Sequence, residues 1–87
     1  MIQIDGAIVR EQGITFAIAV VKKQVLDSSF EADRALEGFR RYFPAMPIVL
    51  AAQDGFGRFS YYGRQDISKY LASIRPARIP WRQFTFS

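Results

Sequence analysis

Eighty-seven residues, 49% hydrophobic and 23% charged, suffice for one globular domain with one core and leave no room for a second. The chain contains no Cys and no His, which excludes disulfides, thiolate chemistry, iron–sulfur and cysteine-based metal sites, and acid–base catalysis by imidazole. The net charge of +4 is lopsided: residues 55–87 hold Arg58, Arg64, Lys69, Arg75, Arg78 and Arg82 against Asp66 alone, whereas residues 1–54 hold six bases against seven acids.

The first element is a strand. Ile2, Ile4 and Ile8 share one parity, with Gly6 between them as a candidate bulge. Arg10-Glu11-Gln12-Gly13 reads as a hairpin connection. From Ile14 to Val21 large residues (Ile14, Phe16, Ile18, Val20) alternate with smaller ones (Thr15, Ala17, Ala19, Val21). That is the pattern of a central strand covered on both faces, and the run extends through Lys22-Lys23 toward Leu26.

Ser28-Ser29-Phe30-Glu31 matches a capping box and opens a helix. Ala32, Ala35, Leu36, Phe39, Tyr42 and Phe43 then form one apolar stripe, which Pro44 ends. Pro47–Gln53 is a second apolar strand, and Asp54-Gly55-Phe56-Gly57 is a turn. Arg58–Tyr62 completes that hairpin and Gly63 breaks it. Ile67, Tyr70, Leu71 and Ile74 sit at helical spacing in a short helix closed by Pro76. Ile79–Phe86 is the last strand; Pro80 near its start assigns it an edge, because Pro cannot donate to a ladder.

The order is β-β-α-β-β-α-β. This predicts a single two-layer α+β domain over residues 1–87, with a mostly antiparallel sheet and two helices on one face. Phe16, Ile18, Leu36, Phe39, Leu50, Leu71 and Ile74 are expected to share its core.

Without the first strand the order is that of ferredoxin-like domains, which include RNA-recognition modules. Those stack bases on aromatics of a glycine-aromatic strand motif. Gly55, Phe56, Gly57 and Tyr61 match half of it, although Asp54 and Arg58 replace a base and a stacking aromatic. The plainer reading is a hairpin whose glycines serve the turn. The segment MPIVLAAQDGFGRFSYYGRQDISKYLASI resembles the C-terminal half of a thioredoxin-like domain over about a third of the chain. It lacks the redox cysteines, so the resemblance implies an alternative fold and no activity.

The candidate binding residues are Arg58, Tyr62, Arg64, Arg75, Arg78, Trp81 and Arg82. Arginine forks suit phosphate, so nucleic acid is one candidate partner; a solvated basic face is the simpler account. Asp54 and Asp66 are explained as a turn residue and a first-turn helix residue, and are not expected to act as a catalytic pair. Ser68 and Lys69 are adjacent on a helix and their side chains diverge. Trp81, Phe84 and Phe86 are many aromatics for a terminal strand; one strand face can enter the core, and the other asks for a partner or a second copy. The expectation is a non-enzymatic interaction module that self-associates as a homodimer. Nucleic-acid binding and small-ligand binding are the alternatives. No cofactor, metal or membrane is called for. The N-terminus has no leader pattern and the longest apolar run, Phe16–Val21, is too short to span a bilayer, so a cytoplasmic location is expected.

Overall fold

The computed structural model describes residues 1–87. Five strands, β1 (Ile2–Glu11), β2 (Ile14–Val20), β3 (Ile48–Gln53), β4 (Phe59–Tyr62) and β5 (Arg82–Phe86), form one sheet in the order β4-β3-β2-β1-β5. Two α-helices, α1 (Ser29–Phe39) and α2 (Gln65–Ala72), complete the predicted sequence of elements. The α+β class and the mostly antiparallel sheet are as expected: only β2 and β3 run parallel. As the size alternation required, β2 is central, and β5 lies at an edge. No helix is long and apolar enough to cross a membrane.

Local chemistry accounts for most element ends. Gln12 and Gly13 both take positive φ, 52° and 78°, in the two-residue turn between Glu11 and Ile14. That is the mirror-image turn whose twist suits a tight hairpin. Ser28 Oγ accepts a hydrogen bond from the Glu31 N–H and caps α1. Several expectations need correction. The last strand begins at Arg82 and not at Ile79, so Pro80 stands outside the ladder. β2 does not run on to Leu26, because Lys23–Asp27 forms a 3-10 turn. α1 stops at Phe39, short of Pro44; Tyr42 and Phe43 are apolar because they meet Phe84 and Phe86, not because they continue a helical stripe. β1 shows no bulge within either ladder: it keeps one register with β5 from Ile2 to Gly6 and one with β2 from Gly6 to Glu11. Gly6 is needed for space: a Cβ there would collide with the carbonyl oxygen of Ile18.

The helices do not share a face. Phe16 and Ile18 of β2 and Val49 and Ala51 of β3 pack with Ile67 and Leu71 of α2. Ala17 and Ala19, with Ile48 and Leu50, pack on the other side against Ala32 of α1, with Phe43 in the same cluster. The expected single core is therefore divided by the sheet, with Phe16, Ile18, Leu71 and Ile74 on one side and Leu36, Phe39 and Leu50 on the other. Side-chain volume explains the division. The small face of β2 lets α1 approach with its own Leu36 and Phe39, and the large face fills the space beneath the shorter α2. The parallel pair β2 and β3 are direct neighbours, so no strand splits the β2-α1-β3 unit as a ferredoxin-like arrangement would require.

Candidate functional site

The seven candidate residues are dispersed. Arg58 ends a rigid turn between β3 and β4. There the Asp54 carboxylate accepts hydrogen bonds from the N–H groups of Phe56 (2.8 Å) and Arg58 (3.0 Å). These backbone donors, Arg58 foremost, hold the Asp54 carboxyl below its ordinary pKa. Phe56 stands at the tip, 86% exposed, with the Arg58 guanidinium 5.7 Å from its ring. Arg75 and Arg78 flank a 3-10 turn at Pro76–Arg78, where Arg78 and Glu11 help line a shallow cavity beside Tyr70. Trp81 is not an outward anchor. Its indole N–H donates to the Pro76 carbonyl (2.8 Å) and its ring stacks on Phe59. Arg82 places its guanidinium 4.8 Å from the ring of Phe84.

Nucleic-acid recognition by arginines and exposed tyrosines requires both on one face. Here consecutive residues part: Tyr61 packs with the α2 cluster and Tyr62 with the α1 cluster. Phe56 belongs to the turn and Tyr61 to the interior, so the half-matched motif makes no stacking surface. No group of three or more acidic side chains gathers as a metal site.

Trp81 and Arg82 share a smaller cavity with Phe59, and Tyr62 and Arg64 are brought together in the largest cleft. It has a volume of about 550 Å³ and lies between α1, the loop after it, and the end of β4. Leu36, Phe43, Met46 and Ile48 supply its apolar lining; Asp33, Arg40, Tyr62 and Arg64 supply its polar groups. The Tyr62 hydroxyl donates to Asp33 Oδ1 at 2.8 Å, joining β4 to α1, and this bond raises the phenol pKa. Arg64 makes a two-pronged contact with Asp66, Nε to Oδ1 and Nη2 to Oδ2, both at 2.9 Å. Arg64 is the leading reason the Asp66 carboxyl titrates below its ordinary value. Ala45, on the cleft wall, has φ 64°, a strained value for a residue with a Cβ. Sequence reasoning missed Asp33, Arg40 and Met46. The available signal was the spacing of Asp33, Leu36 and Arg40 at i, i+3 and i+7, which sets Asp33 and the capping Arg40 next to Leu36 of the apolar stripe.

The second open feature is the outer edge of β5. Ile2–Gly6 of β1 pair with its inner edge, and no strand pairs with the outer one. Phe84 and Phe86 anchor β5 through Phe43 and Tyr42, with ring centroids 5.0–5.7 Å apart. Gln83 and Thr85 are exposed on the opposite face. No family model, no curated protein and no solved structure matches the chain.

Proposed function

We propose that this chain is a non-enzymatic interaction module that self-associates by pairing β5 with the β5 of a second copy. The observation that carries the reading is the open five-residue edge of Arg82–Phe86, which holds a single charged residue at its first position and no acid or Pro. Unprotected edges of this kind template pairing with another chain. Antiparallel pairing centred on Phe84 sets Phe84 opposite Phe84, Gln83 opposite Thr85 and Arg82 opposite Phe86. Each pair is compatible: aromatic on aromatic, polar on polar, cation on ring. No like charges oppose one another. The contact is the strand edge itself, because Trp81 is already occupied by Phe59. The non-enzymatic part of the reading draws on the buried set, which contains no polar or charged residue, and on the absence of His and Cys.

Light scattering across a concentration series tests the proposal. The wild type is expected to rise from 10.0 kDa toward twice that mass. The double variant Gln83→Lys, Thr85→Lys sets Lys against Lys in the proposed register and should remain monomeric, with the melting temperature of the dilute wild type. A wild-type mass that stays at 10.0 kDa at millimolar concentration would defeat the reading.

A further inference from the structure

We infer that the cleft beneath α1 binds a small zwitterion with an apolar side group, of the class of a free apolar α-amino acid. Its volume of about 550 Å³ lies within the range of small-molecule sites, and its lining is mixed, with charged and polar side chains beside apolar ones. The floor of Leu36, Met46 and Ile48 suits an aliphatic or thioether side group.

The charges decide the ligand class. Both signs line one cleft, Asp33 on one side of the account and Arg40 and Arg64 on the other. Asp33 accepts the Tyr62 hydroxyl on Oδ1 and has no ion-pair partner. Its second oxygen is thus a charged acceptor on a side chain that the Tyr62 bond holds in place. Each arginine meets one acid: Arg40 Nε lies 3.3 Å from Glu37, and Arg64 meets Asp66 through Nε and Nη2. A guanidinium has five N–H donors in a planar fork. With its Nε side committed, each Arg keeps its Nη1 donors for a carboxylate.

Asp33 is the one charge of the lining without an ion-pair partner, which suits an ammonium, and the Nη1 donors that Arg40 and Arg64 keep beyond their own acids suit a carboxylate. An ammonium beside a carboxylate answers both. The positive φ of Ala45 puts the strained backbone on the wall of this same cleft, where such strain is found in preorganised sites.

Calorimetric titration and thermal shift with L-leucine, L-methionine and L-phenylalanine test the inference. Each has its charge controls: the N-acetyl derivative keeps only the carboxylate, and the amide keeps only the ammonium. At least one amino acid should bind saturably at millimolar concentrations or below. Its two controls should bind at least about tenfold more weakly, the scale of one charge-assisted hydrogen bond. Asp33→Asn retains an acceptor for Tyr62 and removes the charge. It should reduce the amino acid to the affinity of its N-acetyl derivative while leaving that derivative unaffected. Absence of saturable binding by all three amino acids overturns the inference, as does a control that binds as tightly as its parent. Equal affinity in wild type and Asp33→Asn, with both folded, overturns the placement of the ammonium at Asp33. The Gln83→Lys, Thr85→Lys variant should bind as the wild type does, which keeps this result separate from the oligomeric state.

Discussion

The indole of Trp81 stacks on the ring of Phe59 with centroids 5.3 Å apart and planes 16° from parallel. Phe59 begins one edge strand and Trp81 immediately precedes the other. The pair packs against the same cluster as α2, and Trp81 is part of the fold. Trp81→Ala is expected to cost about 3 kcal/mol, measured by urea unfolding at a concentration where the chain is monomeric. Trp81→Lys should unfold the chain. A Trp81→Lys protein that is folded and merely dissociated would return Trp81 to an interface.

The division of the core by the sheet is open to a double-mutant cycle. Leu71 is fully buried under α2, and Leu36 is half-buried under α1. Leu71→Ala should cost about 2–5 kcal/mol and Leu36→Ala about 1–2 kcal/mol. Because the two side chains belong to different clusters, the double variant should equal the sum within about 0.5 kcal/mol. A larger coupling would place them in one core.

Gly6→Ala is expected to be among the most damaging single-methyl changes. The added Cβ would meet backbone, the Ile18 carbonyl, which cannot move aside as a side-chain tip can. Overpacking of this kind costs about 1–3 kcal/mol, and here the loss should lie at or above the upper end. Thermal melts of Gly6→Ala and of Gly38→Ala, where a Cβ meets nothing, make the comparison; equal melting temperatures would refute it.

Acidification should loosen the β3–β4 turn. The Asp54 carboxyl is held below the ordinary Asp value of about 3.9 by the Arg58 and Phe56 N–H groups. A depressed folded pKa contributes stability that is fully present above the unfolded value and lost as pH falls through the folded one. An NMR titration should therefore find Asp54 protonating below an unstructured Asp, with the Phe56 and Arg58 amide signals moving in step. A midpoint at or above the ordinary value would contradict the hydrogen bonds.

Pairing through β5 should be nearly indifferent to salt. Its contacts are backbone hydrogen bonds and aromatic side chains, with Arg82 the only charge in the strand, whereas binding to phosphates weakens steeply with salt. Sedimentation at low and high ionic strength checks this; dissociation on adding salt would point to the arginines instead.

What the sequence determined by itself is local. The Ser28 cap, the Asp54–Gly57 turn, and the helical spacing of Ile67, Tyr70 and Leu71 each follow from rules that act within a few residues. The same is true of β2 as a central strand, since its alternation of large and small residues needs only two covered faces. The tertiary structure decided which helix covers which face, because that depends on matching the volumes of elements far apart in the chain. It also decided where apolar residues outside the regular elements belong. Tyr42 and Phe43 extend the stripe of α1 on paper, yet Phe84 and Phe86, four decades of sequence away, are what they pack against. Trp81 looked unpartnered beside β5 because its partner, Phe59, comes from the opposite edge. The cleft was hidden for the same reason: Asp33 and Tyr62 are 29 residues apart, and a hydrogen bond across that separation leaves no periodic mark in either segment.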